Sequence, residues 1–213
     1  MSTTSPENVG LRERKKAELR NTLIESGLRL FHEKGYEATT TEEIAACAGV
    51  SQRTFFRYFA SKENVVLEAI EEVDALLCAF VRERPADEPP FRALRNAMRD
   101  HWEVLEREEL HLQGSAANFI SQSPELIEVN MRYCARRQSR LARVIAERAG
   151  VDPTDHRPAL VAAVFYATLN NGFQVWADSG CGDKTDGLLR SFLEQLDLVP
   201  DAVCGTWSRA DGA

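Results

Sequence analysis

The sequence predicts an all-α protein, with an N-terminal three-helix head joined by a connecting helix to a larger C-terminal helical domain. Three observations predict it. Apolar residues recur at three- and four-residue spacing along most of the chain, with no alternating run and no hairpin turn signal. Gly, Pro and capping residues punctuate that pattern where helices should start and stop. Residues 39–62, TTTEEIAACAGVSQRTFFRYFASK, read as two short helices joined by a tight turn, with a third helix opening behind them.

Residues 1–10 read as a disordered tail, and residues 11–60 as the head. Arg12, Arg14, Lys15 and Lys16 form a basic cluster ahead of the first helix. It is either a solvated flank or an arm that touches phosphate or the neighbouring minor groove, and the second use is favoured because the head has little other positive charge. The first long helix runs to about Lys34 on an apolar stripe of Leu19, Leu23, Ile24, Leu30 and Phe31. Gly27 inside it costs about 1 kcal/mol relative to Ala, which implies close helix packing there. Gly35 ends it. Thr40 and Glu43 then form a capping box, Ile44, Ala45 and Ala48 supply a two-turn apolar face, and Gly49 stops the helix. Ser51 caps the next helix, whose buried face is Phe55, Tyr58 and Phe59.

Ser61 opens a connecting helix over residues 61–81, long enough to leave the head and enter the second domain. Residues 82–90, RERPADEPP, break it and predict a flexible loop. Across residues 82–213, helices are expected at about 91–107, 110–121, 124–149, 155–179 and 184–198. Ser123-Pro124 and Asp152-Pro153 read as N-cap plus N1-proline starts, while Gly150 and Gly180 read as stops.

Composition narrows the function classes. At 213 residues, 28% charged and 44% hydrophobic, the chain is an ordinary globular one. Its net charge of −7 is unevenly spread: residues 1–60 hold nine Lys and Arg against eight Asp and Glu, the remainder 17 against 25. The acidic part should face away from any DNA. The five Cys (47, 78, 134, 181 and 204) are scattered, which argues against a disulfide framework and fits a reducing cytoplasm. The four His show no metal-ligand spacing, so no metal and no cofactor are expected. No signal peptide or bilayer-length apolar run is read, which predicts a cytoplasmic protein without membrane contact. Nucleophile elbow, P-loop, dinucleotide fingerprint and HExxH motifs are all missing, so an enzyme is not expected.

The second short helix carries Gln52, Arg53, Thr54 and Arg57 toward its N-terminal end, the end that meets base edges in helix-turn-helix proteins. Arg and Gln can make bidentate contacts to guanine and adenine. The wording is specific beyond that. Leu30-Phe31, Gly35-Tyr36, Ala38-Thr39-Thr40, Ile44-Ala45, Ala48-Gly49-Val50-Ser51, Thr54, Tyr58-Phe59 and Ser61-Lys62-Glu63 stand in the register of one known pattern. Residues 20–67 resemble the DNA-binding domain of the tetracycline-repressor (TetR) family of bacterial regulators. Thr41, Gln52 and Arg53 are the candidates for base contact, and Thr40, Ser51, Thr54, Arg57, Tyr58 and Lys62 for holding the phosphate backbone. Phe56 departs from the family, which usually has Tyr there with its hydroxyl on a phosphate; Tyr58 or Arg57 takes over that contact, or one anchor is missing.

The resemblance implies a homodimer on a palindromic double-stranded DNA operator and an unknown small-molecule effector bound in the C-terminal domain. Candidate ligand residues are His101, Trp102, Asn118, Phe119, Tyr133, Tyr166, Asn170 and Phe173, aromatic or polar side chains in apolar helical settings. Arg132, Arg136, Arg140 and Arg143 share one helix face, read as solvated or as an anion-binding wall. Val161, Phe165, Trp176, Leu189, Phe192 and Leu196 are the candidate dimer interface, since two such apolar helices could meet their symmetry mates in a four-helix bundle. The expected mechanism is a repressor released by its ligand. The alternatives are an activator of the same family and a helical protein-interaction module that binds no DNA.

Overall fold

A computed structural model describes residues 6–105, 124–152, 154–179 and 185–205, and among these it holds eight helices and no strand. The helix expected at 110–121 lies outside the described residues, as do Ser123, Pro153 and Gly180.

Helix α1 (Pro6–Lys34) takes in the second half of the segment expected as a tail. Pro suits a first helical turn, where its missing N–H has no intrahelical partner to lose. The basic cluster therefore sits on helix rather than on an arm. Part of its charge is met locally, Arg14 pairing with Glu18 at 3.5 Å and Lys16 with Glu13 at 4.0 Å. Helix α2 (Thr41–Cys47) begins with both bonds of the expected capping box: Glu43 N donates to Thr40 Oγ1 at 3.2 Å and Thr40 N to Glu43 Oε2 at 2.9 Å. Gly49 sits at φ 71°, a left-handed value that favours glycine and lets the chain reverse into α3 (Gln52–Tyr58). Ser51 caps α3 by accepting from Thr54 N at 3.2 Å. Leu23, Phe31, Ile44, Phe55 and Phe59 form the core of this head.

Helix α4 (Lys62–Glu83) belongs to two cores at once. Val65, Val66 and Ala69 complete the head, whereas Leu77, Cys78 and Val81 lie in the core of the second domain. At 1.5 Å per residue it spans roughly 33 Å. Ser61 opens it, but its hydroxyl bonds Asn64 Oδ1 at 3.1 Å rather than a backbone N–H.

The proline-rich segment that follows is pinned, not loose. Arg148 donates to the carbonyls of Arg84, Pro85 and Glu88, while the Arg84 guanidinium holds Glu88 at 2.8 Å and Asp100 at 2.9 Å. Helices α5 (Pro90–Val104), α6 (Pro124–Ala149), α7 (Arg157–Asp178) and α8 (Thr185–Cys204) complete the second domain. Two boundaries differ from expectation. Asp152 builds a turn by accepting from Thr154 N at 2.8 Å, and α7 starts only at Arg157, whose N–H is met by Asp155 Oδ1 at 2.8 Å. Helix α8 continues through Pro200, where the proline removes one hydrogen bond only a turn before the helix ends.

The expected interface residues of α7 and α8 pack within the chain to different degrees. Phe165, Trp176 and Leu196 are buried in the chain's own core, with Val161, Leu189 and Phe192 packed against it. An exposed stripe of α7 runs through Leu160, Val164, Ala167, Asn171 and Val175, and Leu198 is exposed on α8.

Candidate nucleic-acid interface and ligand cavity

The head presents α3 outward because Phe55 and Phe59 anchor its opposite side. Gln52, Arg53, Phe56 and Arg57 are exposed on it, and Thr41 at the start of α2 lies alongside. Gln52 Nε2 donates to Thr41 Oγ1 at 3.0 Å, so two of the three candidate base-reading side chains are already oriented against each other. Ser51 Oγ and Thr54 Oγ1 stand 3.0 Å apart at the α3 cap, with Thr40 exposed at the cap of α2. Arg57 lies 5.4 Å from the Tyr58 ring centroid, a cation–π contact that keeps both at one end of the surface. Phe56, the departure from the family pattern, is 51% exposed and adds apolar surface beside the basic groups.

Lys62 is placed differently from its expected phosphate role. Its ammonium donates to the Tyr36 carbonyl at 3.0 Å, approaches the Glu37 and Thr39 carbonyls at 3.5 Å, and stands 4.2 Å from the Tyr36 ring centroid. An ammonium has three donors, and here they point into the α1–α2 turn. Tyr36 in turn donates to Glu63 Oε1 at 2.7 Å, so the start of α4 is latched to the turn by both its first residues.

A second site lies in the other domain. A cavity of about 250 Å³ opens between α4, α5, α6, α7 and α8. Ile70, Val73 and Leu77 of α4 and Met98 of α5 form its aliphatic walls, and Trp102, Phe173 and Phe192 its aromatic ones. Of the eight ligand candidates, His101, Trp102, Tyr166, Asn170 and Phe173 line it. Asn118 and Phe119 lie outside the described residues. Tyr133 is not in the lining; its hydroxyl accepts from Asn64 Nδ2 at 3.2 Å and ties α6 to α4.

Asp74 of α4, buried in the same wall, accepts from Arg140 at 2.5 Å and from the Tyr166 hydroxyl. Burial first, and the Asp74 charge next, push the Tyr166 phenol well above its ordinary pKa, which keeps it a donor. Arg140 also reaches Glu71 at 2.9 Å, so this member of the expected arginine wall is spent inward. Arg136 lies 5.6 Å from the Tyr133 ring centroid. Sequence reasoning missed Asp74, Arg137, Cys134 and Phe192 as cavity residues. Only Asp74 carried a signal, being an acid on the apolar Ile70–Val73–Leu77 face of its helix.

A helix-turn-helix head, an oriented polar surface on its second helix and a separate helical domain enclosing a cavity define a DNA-binding regulator. The comparisons agree. Residues 23–69 match the family of bacterial regulatory proteins of the tetR type, and residues 88–199 match the MftR C-terminal domain. The chain is 35% identical over 97% of its length, and 93% of the relative's, to the HTH-type transcriptional regulator TcmR of Streptomyces glaucescens. This protein belongs to the TetR family of helix-turn-helix transcriptional regulators. Among solved structures it shares its fold with SmeT of Stenotrophomonas maltophilia in a triclosan complex (TM-score 0.58, 21% identity, 91% and 96% of the two chains). It shares it likewise with the Thermus thermophilus repressor FadR in complex with lauroyl-CoA (TM-score 0.55, 21% identity, 91% and 100%).

Proposed function

We propose that this regulator is a cytoplasmic homodimeric repressor released from a palindromic operator by a small molecule. The observation that carries the reading is the double membership of α4: Val65, Val66 and Ala69 are built into the head, and Ile70, Val73, Asp74 and Leu77 of the same helix wall the cavity. A ligand that fills the cavity acts on the helix that sets the head's position. It shifts the equilibrium only by its difference in affinity between the two arrangements of that helix.

In the DNA-bound state Thr41, Gln52 and Arg53 contact bases, while Thr40, Ser51, Thr54, Arg57 and Tyr58 hold backbone. Lys62 supports this surface from within the head. Dimerisation uses Leu160, Val164 and Val175 with Leu198, large apolar side chains left exposed in one chain. Two heads are required because one reads only a half-site, and the pair must stand about 34–36 Å apart, or a multiple, to share one face of DNA. That SmeT and FadR are seen with small molecules supports the ligand-responsive part.

The test is a fluorescence-anisotropy titration against the DNA upstream of the protein's own gene, with unrelated competitor DNA at two salt concentrations. Competitor-resistant, salt-sensitive binding by a dimer is expected. Absence of DNA binding at any salt would overturn the reading in favour of a protein-interaction module.

A further inference from the structure

We infer that the effector carries an anionic oxygen on a flat apolar body and seats that oxygen on Arg137 and Trp102. The inference rests on the ligand-responsive reading above and names the ligand's chemical class.

Two side chains of the cavity wall carry a buried hydrogen-bond donor that no described residue meets. Trp102 is only 9% exposed, and its indole Nε1 is buried with no hydrogen-bond partner among the described residues. Arg137 Nε is in the same condition. Both residues line the cavity. Buried donors in folded proteins are nearly always paired, so two unmet ones on side chains that line one cavity ask for acceptor atoms from outside the described residues.

The acceptors of Asp74 and Asn130 in this wall are already used. One oxygen of Asp74 takes the Tyr166 hydroxyl and the other takes Arg140. Asn130 Oδ1 takes Arg137 Nη2 at 3.0 Å, and Cys134 Sγ takes the same nitrogen at 3.1 Å. These contacts, with the Tyr166 ring 5.8 Å from the guanidinium, hold Arg137 in one orientation. No carboxylate among the described residues pairs with it, whereas Arg140 close by is bonded to two. An oriented guanidinium with its Nε–H unspent suits a carboxylate or phenolate oxygen, which it can meet with one charge-assisted N–H.

The remainder of the wall sets the body of the ligand. Trp102 and Phe192 meet edge to face with centroids 6.0 Å apart, and Phe173 closes a third side. At about 250 Å³ the space accommodates a compact ring system against these aromatic walls.

Isothermal titration calorimetry on the full-length protein tests this with 2-naphthoate, the isosteric neutral 2-naphthamide, and lauroyl-CoA. The acid is expected to bind at least tenfold more tightly than the amide. Arg137→Met should bring the acid down to the level of the amide, Arg137→Lys should restore part of the preference, and Trp102→Phe should weaken the acid several-fold. The acid–amide comparison on the parent needs no variant to fold. Equal binding of acid and amide would overturn the inference and leave the cavity as the ligand site. Lauroyl-CoA binding where neither ring compound binds would also overturn it while sparing the ligand-responsive reading. Were none of the three to bind or to release DNA, both would fall.

Discussion

A Cβ placed on Gly27 of α1 would lie 2.7 Å from Val65 Cγ1 of α4. Val65 is fully buried and stiff at χ1, so it has little room to turn away. The two helices therefore touch through a bare backbone at the point where α4 leaves the head. Gly27→Ala gains ~1 kcal/mol of helix propensity but overpacks the contact by roughly 1–3 kcal/mol, and a net loss of stability is expected. Urea unfolding measures it. The loss should shrink in a Val65→Ala background, and an unchanged penalty there would place the strain elsewhere.

On the proposed reading, side chains of the head divide into those that read DNA and those that hold the reader. Arg53→Ala should cost about 1–3 kcal/mol of discrimination between operator and mismatched sites. Arg57→Ala should weaken all sequences alike and lower the salt slope by about one. Lys62→Met should leave that slope unchanged and lower the head's stability, because the ammonium is bound to the Tyr36 carbonyl at 3.0 Å. Anisotropy titrations over a salt series, with thermal melts of the same variants, separate the three behaviours.

The α2 capping box carries a pH signature. Lys34 first, and then the Thr40 bonds, lower the Glu43 carboxyl from 4.5 to about 2. A depressed folded pKa means that the unfolded chain binds more protons between these values. The stabilisation is thus present above pH 4.5 and lost as pH falls toward 2. Parent and Glu43→Gln should differ in stability at neutral pH and converge at the acidic end, as followed by acid-dependent urea unfolding; a constant difference would show that the charge is not the source.

Neighbouring residues of α7 should respond oppositely to charge. Val164 is exposed and Phe165 fully buried. Val164→Asp is expected to give a folded monomer in sedimentation experiments, with weakened operator binding, whereas Phe165→Asp should not fold. A dimeric Val164→Asp protein would move the interface off this stripe.

Local features were legible in the sequence because their causes are local. Thr40 and Glu43 stand three residues apart and meet by helix geometry alone; Gly49 marks the reversal; Phe55 and Phe59 share a face by their spacing. Five cavity residues were found from residue type, since aromatic and polar groups in apolar helices are what a pocket uses. The α7–α8 faces were not legible. Helix α7 is apolar over most of its circumference, so periodicity shows that it packs without showing which side meets its own chain and which stays exposed.

The sequence by itself determined the helical class, the helix-turn-helix grammar and its capping chemistry, because hydrophobic spacing, glycine conformation and cap hydrogen bonds act within a few residues. Tertiary structure alone decided where long side chains end. Lys62 turns to a carbonyl 26 residues away, Arg140 to Asp74 across two helices, and Arg137 to the cavity with its Nε unspent. Their reach exceeds a helical turn, so their partners depend on which helices the core brings side by side, and no local pattern encodes that.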